Sequence, residues 1–233
     1  MHKRILLKLS GEFFSSDHAP FNAEKIHQVA KAIYDFKTQC NVDIVIVVGA
    51  GNLWRFRDNK HLSISRNLSD KLGMTATNFN AILLAEMLHE LGDKVKAVSC
   101  YGHSDLIRRY DSTDCVSLLN QGSTIVFAGG TGNPFSTTDS ASVLRALELD
   151  CDVVYKATKV DGVYDKDPHQ FEDAVRFSEL SFEKALSQQL KVMDSSAFGM
   201  AMENDLPVLV FDFSKPNILQ SVYEDSSIGT LVS

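Results

Sequence analysis

Six short apolar runs punctuate the chain, at residues 4–9, 43–48, 94–98, 124–128, 152–155 and 208–211. They are dense in Val, Ile and Leu and lack the strict alternation of a half-wet strand, which predicts strands covered on both faces of a sheet. Between the runs the hydrophobic period becomes helical. Ile26, Val29, Ala30, Ile33 and Phe36 recur at helical spacing within residues 23–40, and Leu72, Ala76, Phe79, Leu83 and Met87 do so within 70–91. Residues 140–149 and 195–204 are further predicted helices, the second stopping before Asp205-Leu206-Pro207 as a helix does ahead of proline.

Strand and helix alternate, so the expected fold class is α/β, with a mainly parallel central sheet sandwiched between helices and right-handed crossovers. No internal repeat, low-complexity tract or Pro/Gly/Ser linker divides the chain, so residues 1–233 read as a single domain with two lobes. In such sheets ligands sit beyond the carboxyl ends of the strands.

At 233 residues the chain can bury a core without a metal or disulfide staple. Its net charge of −7, with no dense Lys/Arg run, argues against nucleic acid as a partner. An anionic ligand must therefore be held by a few local cations and backbone amides. The apolar runs are too short to cross a bilayer, and Lys8 interrupts the first one, so neither a membrane span nor a signal peptide is expected. Cys40, Cys100, Cys115 and Cys151 are scattered without a C-x-x-C pair, which fits reduced thiols in a cytoplasmic protein and disfavours zinc.

Four strands run into unusual loops: Lys8-Leu9-Ser10-Gly11, Gly49-Ala50-Gly51-Asn52, Gly129-Gly130-Thr131-Gly132-Asn133-Pro134, and Lys156-Ala157-Thr158-Lys159-Val160-Asp161-Gly162. Glycines after a strand let backbone N–H groups approach an anion, and a following helix N-terminus adds a favourable dipole. Several such loops with nearby cations in one sheet predict a phosphate site. No G-x-x-x-x-G-K-[ST], protein-kinase H-R-D or D-F-G, G-x-S-x-G or H-E-x-x-H occurs. Residues 49–54 begin like a dinucleotide fingerprint but put Trp54 where the third glycine belongs.

These segments together resemble the bacterial uridylate (UMP) kinases of the amino-acid-kinase superfamily over nearly the whole chain. The blocks are KRILLKLSGE (3–12), GAGNLWR (49–55), GTGNPFSTTD (130–139), KATKVDGVY (156–164) with Asp167-Pro168, LKVMD (190–194) and the closing Gly229-Thr230-Leu231. GTGNPF-x-TTD with KATKVDGV separates uridylate kinases from acetylglutamate, glutamate and aspartate kinases. The chain departs from the family at 13–20, 56–65 and 99–121, and at Ala50 and Ser136, where Gly and Phe are usual.

The resemblance implies the amino-acid-kinase fold and transfer of the γ-phosphoryl of ATP to UMP in pyrimidine nucleotide synthesis, with a UMP lobe near 1–150 and an ATP lobe near 151–233. It implies Lys8, Arg55, Asp139 and Asp194 as catalytic residues. ATP contacts fall to Lys8, Leu9, Ser10, Gly11, Gly51, Arg55, Thr158, Tyr164 and Asp167. UMP contacts fall to Ala50, Asp70, Thr131, Gly132, Asn133, Pro134, Phe135, Ser136, Thr137 and Thr138, with Asn133, Phe135 and Thr138 nearest the base. Mg²⁺ is expected beside Asp139 through the phosphates, and Lys156 and Lys159 add positive potential. A homohexamer, inhibition by UTP and weak or absent GTP activation are also implied, the last because 13–20 is short. Asp70, Asp139 and Asp194 each have a plain alternative as helix caps. Another small-molecule kinase of the superfamily, or a silent nucleotide or oxyanion binder, are the alternative functions.

Overall fold

The first strand, β1 (Arg4–Leu9), sends Ile5, Leu7 and Leu9 into one hydrophobic layer and Leu6 into another. This is the two-residue period of a strand covered on both sides. The computed structural model describes residues 3–102, 104–168 and 170–233. Along them follow α1 (Ala23–Cys40), β2 (Asp43–Val48), α2 (Arg66–Glu90), β3 (Val95–Ser99), β4 (Arg108–Arg109), α3 (Ser112–Asn120), β5 (Thr124–Ala128), α4 (Thr138–Glu148) and β6 (Val153–Thr158). The remainder forms β7 (Glu179–Leu180), α5 (Phe182–Ser187), α6 (Ser195–Glu203), β8 (Val208–Asp212), α7 (Ile218–Glu224) and β9 (Thr230–Val232).

The described strands make one sheet in the order β4-β3-β5-β2-β1-β6-β8-β9-β7. Every pairing is parallel except β8 with β9. Helices α1, α2 and α7 pack on one face with Tyr155, Phe211 and the odd residues of β1. Helices α3, α4, α5 and α6 cover the other with Leu6, Val45, Phe127 and Val154. From β1 the chain adds β2 and, further out, β3 and β4, inserts β5 between β3 and β2, then crosses to place β6 on the other side of β1. That reversal opens a crevice at the carboxyl ends of β1, β2 and β6, where ligands bind in open α/β sheets.

The six predicted strands and four predicted helices are all present. Three helix starts bear on the site. Helix α2 begins at Arg66, with the Ser65 hydroxyl accepting from the Leu68 N–H, so Asp70 lies a turn inside the helix and does not cap it. Thr137, not Asp139, caps α4. Asp194 does cap α6, accepting from the Ser196 and Ala197 N–H groups. Helices α3, α5 and α7 and the short strands β4, β7 and β9 were not in the sequence-based assignment.

Candidate active site

Lys8 is an even position of β1, so its side chain leaves the sheet toward α4, not toward α1 and α2. Lys156 is its register partner on β6. Both ammonium groups meet Asp139 in the first turn of α4: Lys8 Nζ lies 3.1 Å from Oδ1 and Lys156 Nζ 2.6 Å from Oδ2. Lys156 also donates to the Val192 carbonyl at 2.7 Å. Burial pushes the Asp139 carboxyl up, but the two lysines together outweigh it and hold it below the ordinary carboxylate range. Burial lowers Lys156, against the opposing pull of Asp139. The result is one carboxylate shared by two cations, with a surplus positive charge at the strand ends.

Two adjoining cavities open there. One, of about 310 Å³, is lined by Lys8, Ser10, Ala50, Arg55, Asp70 and Thr131, among others. The second, of about 650 Å³, holds Lys8, Arg55, Asp139 and Asp194 in one cleft. Lys8, Arg55, Thr137 and Thr138 border both. Asp194 is drawn in by hydroxyls: Thr137 donates to it across the cleft, and so does Ser140 at 3.2 Å. Burial raises its carboxyl, and bonds from Ser196, Thr137, Ala197 and Ser140 more than reverse this.

The glycine loops are anchored from behind by α2. Asn80, fully buried, donates to the Gly49 carbonyl at 2.7 Å, and the Thr77 hydroxyl accepts from the Gly129 N–H at 2.7 Å. Gly11 sits so close to this junction that a Cβ would lie 2.2 Å from Asn52 Oδ1 and 2.8 Å from the Gly49 carbonyl. Ala50 has no left-handed backbone, so its methyl is accommodated where glycine is usual. Thr77 and Asn80 carry no recognised motif. Ser69 is buried on the same helix and polar residues occur along its whole length, so no apolar pattern singles these two out.

Not every expected residue reaches the two cavities. Of the segment 131–138, Thr131, Ser136, Thr137 and Thr138 line the smaller one, while Gly132, Asn133, Pro134 and Phe135 do not. The Phe135 side chain is 70% exposed, and its backbone is left-handed at φ 63°. Asp70 secures that turn: one oxygen accepts from the Phe135 N–H at 2.9 Å and the other from Arg66 Nε at 2.6 Å. Leu9 points into the core and offers only its backbone, whose carbonyl accepts from the Gly49 N–H. Thr158, Tyr164 and Asp167 lie at the end of β6 and in the loop after it, outside both cavities. Thr158 donates to the Val160 carbonyl, Tyr164 to Asp161, and Asp167 accepts from Gln170.

Glu12 is the site residue that the sequence reading left without a role. One of its oxygens pairs with Arg55 and the other with Lys159 at 2.8 Å, so it neutralises the guanidinium expected at the phosphates. Among the described residues no group of three His, Cys, Asp or Glu side chains could hold a metal by itself. Both oxygens of Asp139 already face ammonium groups. A hard cation there would have to take most of its ligands from nucleotide phosphates.

A family model, the amino acid kinase family, matches residues 3–212. The uridylate kinase of Xanthomonas campestris pv. campestris (strain 8004) is 39% identical over 232 residues, covering 99% of this chain and 96% of that protein. That of Colwellia psychrerythraea is 37% identical, covering 100% of this chain and 94% of its own length. Among solved structures, UMP kinase from Bacillus anthracis superposes with a TM-score of 0.96 at 29% identity, covering 100% of this chain and 96% of that one. UMP kinase from Ureaplasma parvum gives 0.94 at 33% identity, covering 100% and 99%. The chain belongs to the amino acid kinase family.

Proposed function

We propose that the chain is a UMP kinase, transferring the γ-phosphoryl group of ATP to UMP to give UDP and ADP. The observation that carries this reading is the convergence of Lys8, Arg55, Asp139 and Asp194 on one cleft that adjoins the cavity bordered by the 131–138 segment. The acceptor phosphate is already an anionic nucleophile, so the site needs no general base. Its work is positioning and charge neutralisation around a loose, in-line transition state.

In this reading Lys8 bridges the transferred group and the leaving oxygen. Asp139 holds Lys8 and Lys156 in place through its two oxygens. Arg55, whose planar guanidinium suits two phosphate oxygens at once, leaves Glu12 to lie between donor and acceptor. UMP occupies the smaller cavity with its phosphate toward Lys8 and Arg55 and its ribose near Asp70. ATP lies over β6, with Ser10 and Gly11 at its phosphates and Thr158, Tyr164 and Asp167 about its nucleoside. Mg²⁺ supplies charge neutralisation on the ATP phosphates, with Asp139 and Asp194 flanking them. The lobe near 1–150 then serves UMP and that near 151–233 serves ATP.

The same reading includes self-association, up to a hexamer, through α2. Leu68, Leu72 and Phe79 form an exposed apolar stripe along that helix, and light scattering reports the assembly. It includes inhibition by UTP, little response to GTP and a cytoplasmic setting, where the four free thiols stay reduced. A phosphorylation panel of UMP, CMP, AMP, GMP and acetylglutamate, with and without Mg²⁺, tests the activity. UDP formation dependent on both UMP and Mg²⁺ is expected; transfer to acetylglutamate, or no transfer at all, overturns the reading.

A further inference from the structure

Behind the glycine loop at the end of β5 lies a cation that borders neither cavity. Arg145, on α4, is 4% exposed. Its guanidinium lies against two rings that pack edge to face, with Cζ 4.4 Å from the centroid of Tyr110 and 4.5 Å from that of Phe127. One terminal nitrogen pairs with Glu148, which also accepts from the Tyr110 hydroxyl at 2.6 Å. The other donates to Cys100 Sγ at 3.2 Å and to the Gly130 carbonyl at 3.4 Å. Beside it, the Tyr101 hydroxyl donates to the Gly132 carbonyl at 2.9 Å.

Burying a guanidinium is costly, and an apolar side chain of similar length would pack against the two aromatic rings at least as well. Nor are the donors fully used: Arg145 Nε is the one buried side-chain nitrogen or oxygen without a hydrogen-bond partner among the described residues. What an apolar side chain could not do is reach a strand end, a helix end and a loop carbonyl from a single planar fork. The loop needs such a hold. Gly130 and Gly132 have φ of 56° and 80°, a conformation that flexible glycines adopt but do not keep unaided. On its other side, Gly130 and Thr131 form part of the wall of the smaller cavity.

We propose that Arg145 and Tyr101 are positioning residues that fix the carbonyl side of the Gly130–Gly132 turn and thereby set the affinity for the acceptor nucleotide. The affinity part rests on the UMP reading above; the fixing of the turn does not. Neither side chain touches the reacting atoms, so the consequence falls on acceptor binding and not on ATP binding or the transfer step.

The test uses the full chain with Tyr101→Phe, which removes only a hydroxyl, and Arg145→Lys, which keeps the charge and loses the fork. Two readouts are taken: amide hydrogen exchange of residues 129–133 without ligand, and KM for UMP and ATP with kcat. Losing one hydrogen bond to the turn in Tyr101→Phe should speed exchange there and raise KM for UMP by about three- to tenfold. Arg145→Lys should do so by more. KM for ATP and kcat should stay within about twofold, and exchange elsewhere should be unchanged. Equal rises in both KM values with a general loss of protection would mark a merely structural role and overturn the inference; so would wild-type exchange and KM for UMP in Tyr101→Phe. Should the wild-type chain leave UMP unphosphorylated, the functional reading fails, and exchange of the turn alone decides whether these residues hold it.

Discussion

Lys8 and Lys156 stand opposite each other in register on neighbouring strands and share a single carboxylate, Asp139. Two cations on one anion leave a net positive charge at the strand ends, in a chain whose overall charge is −7. The field that an incoming phosphate meets is therefore local, built by strand parity and one helix N-terminus.

Lys8→Met should lower kcat by about 10²–10³-fold, the usual cost of removing one preorganised donor from developing charge. The fold should survive, because Asp139 keeps Lys156. Steady-state kinetics alongside a thermal melt check both halves. Turnover near the wild-type value would take Lys8 out of the chemistry.

Asp139→Asn leaves two half-buried ammonium groups facing a neutral amide. Side-chain exposures of 13–15% are less than full burial, so roughly 2–4 kcal/mol of stability should be lost, below the cost of opening a fully dry pair. Urea unfolding at neutral pH measures it.

Acid should act through the same carboxylate. The folded state holds Asp139 and Asp194 below their ordinary range. Groups of that kind stabilise the fold fully above the unfolded value, near pH 4, and lose this contribution as pH falls through the lower folded value. Unfolding free energy should therefore decline steeply below about pH 4, and Asp139→Asn should flatten the slope. A parallel slope in the variant would show that other carboxylates dominate.

Thr77→Val keeps the shape and removes the acceptor of the buried Gly129 N–H. A loss of about 1–3 kcal/mol is expected for the orphaned donor, together with a higher KM for UMP as the loop shifts. Glu12→Gln acts in the opposite direction. It weakens the pairing that occupies Arg55 and Lys159, so KM for ATP should fall about threefold if losing the carboxylate releases most of a kcal/mol. A rise would assign Glu12 to orienting Arg55 instead.

The central strands were legible because burial on both faces writes continuous Val/Ile/Leu runs; β2 and β5 match residue for residue. Helix α1 was equally plain, bounded by Asn22 as its N-cap and a left-handed Asn41 after it. Helices α5 and α7 are too short for a period to emerge, and β4 and β7 have only two residues each. Helix α2 starts four residues before the expected position, where Leu68 extends the spacing of Leu72 back by one turn and Ser65 caps the helix. Lys8, Arg55, Asp139 and Asp194 were named through the family resemblance of the blocks that contain them, and the four line one cleft. The pairing of Glu12 with Arg55, the grip of Asp70 on Phe135 and the inward Asn80 depend on contacts across long sequence separations, which no local pattern records.

Residue parity along β1 has one more consequence. Deleting a single residue between Arg4 and Leu7 would turn the ammonium of Lys8 toward the greasy slab beneath α1 and aim a leucine at Asp139. The frame in which that strand is read is thus as indispensable as the amine itself, and a length-preserving swap of neighbours there would be as damaging as losing the lysine.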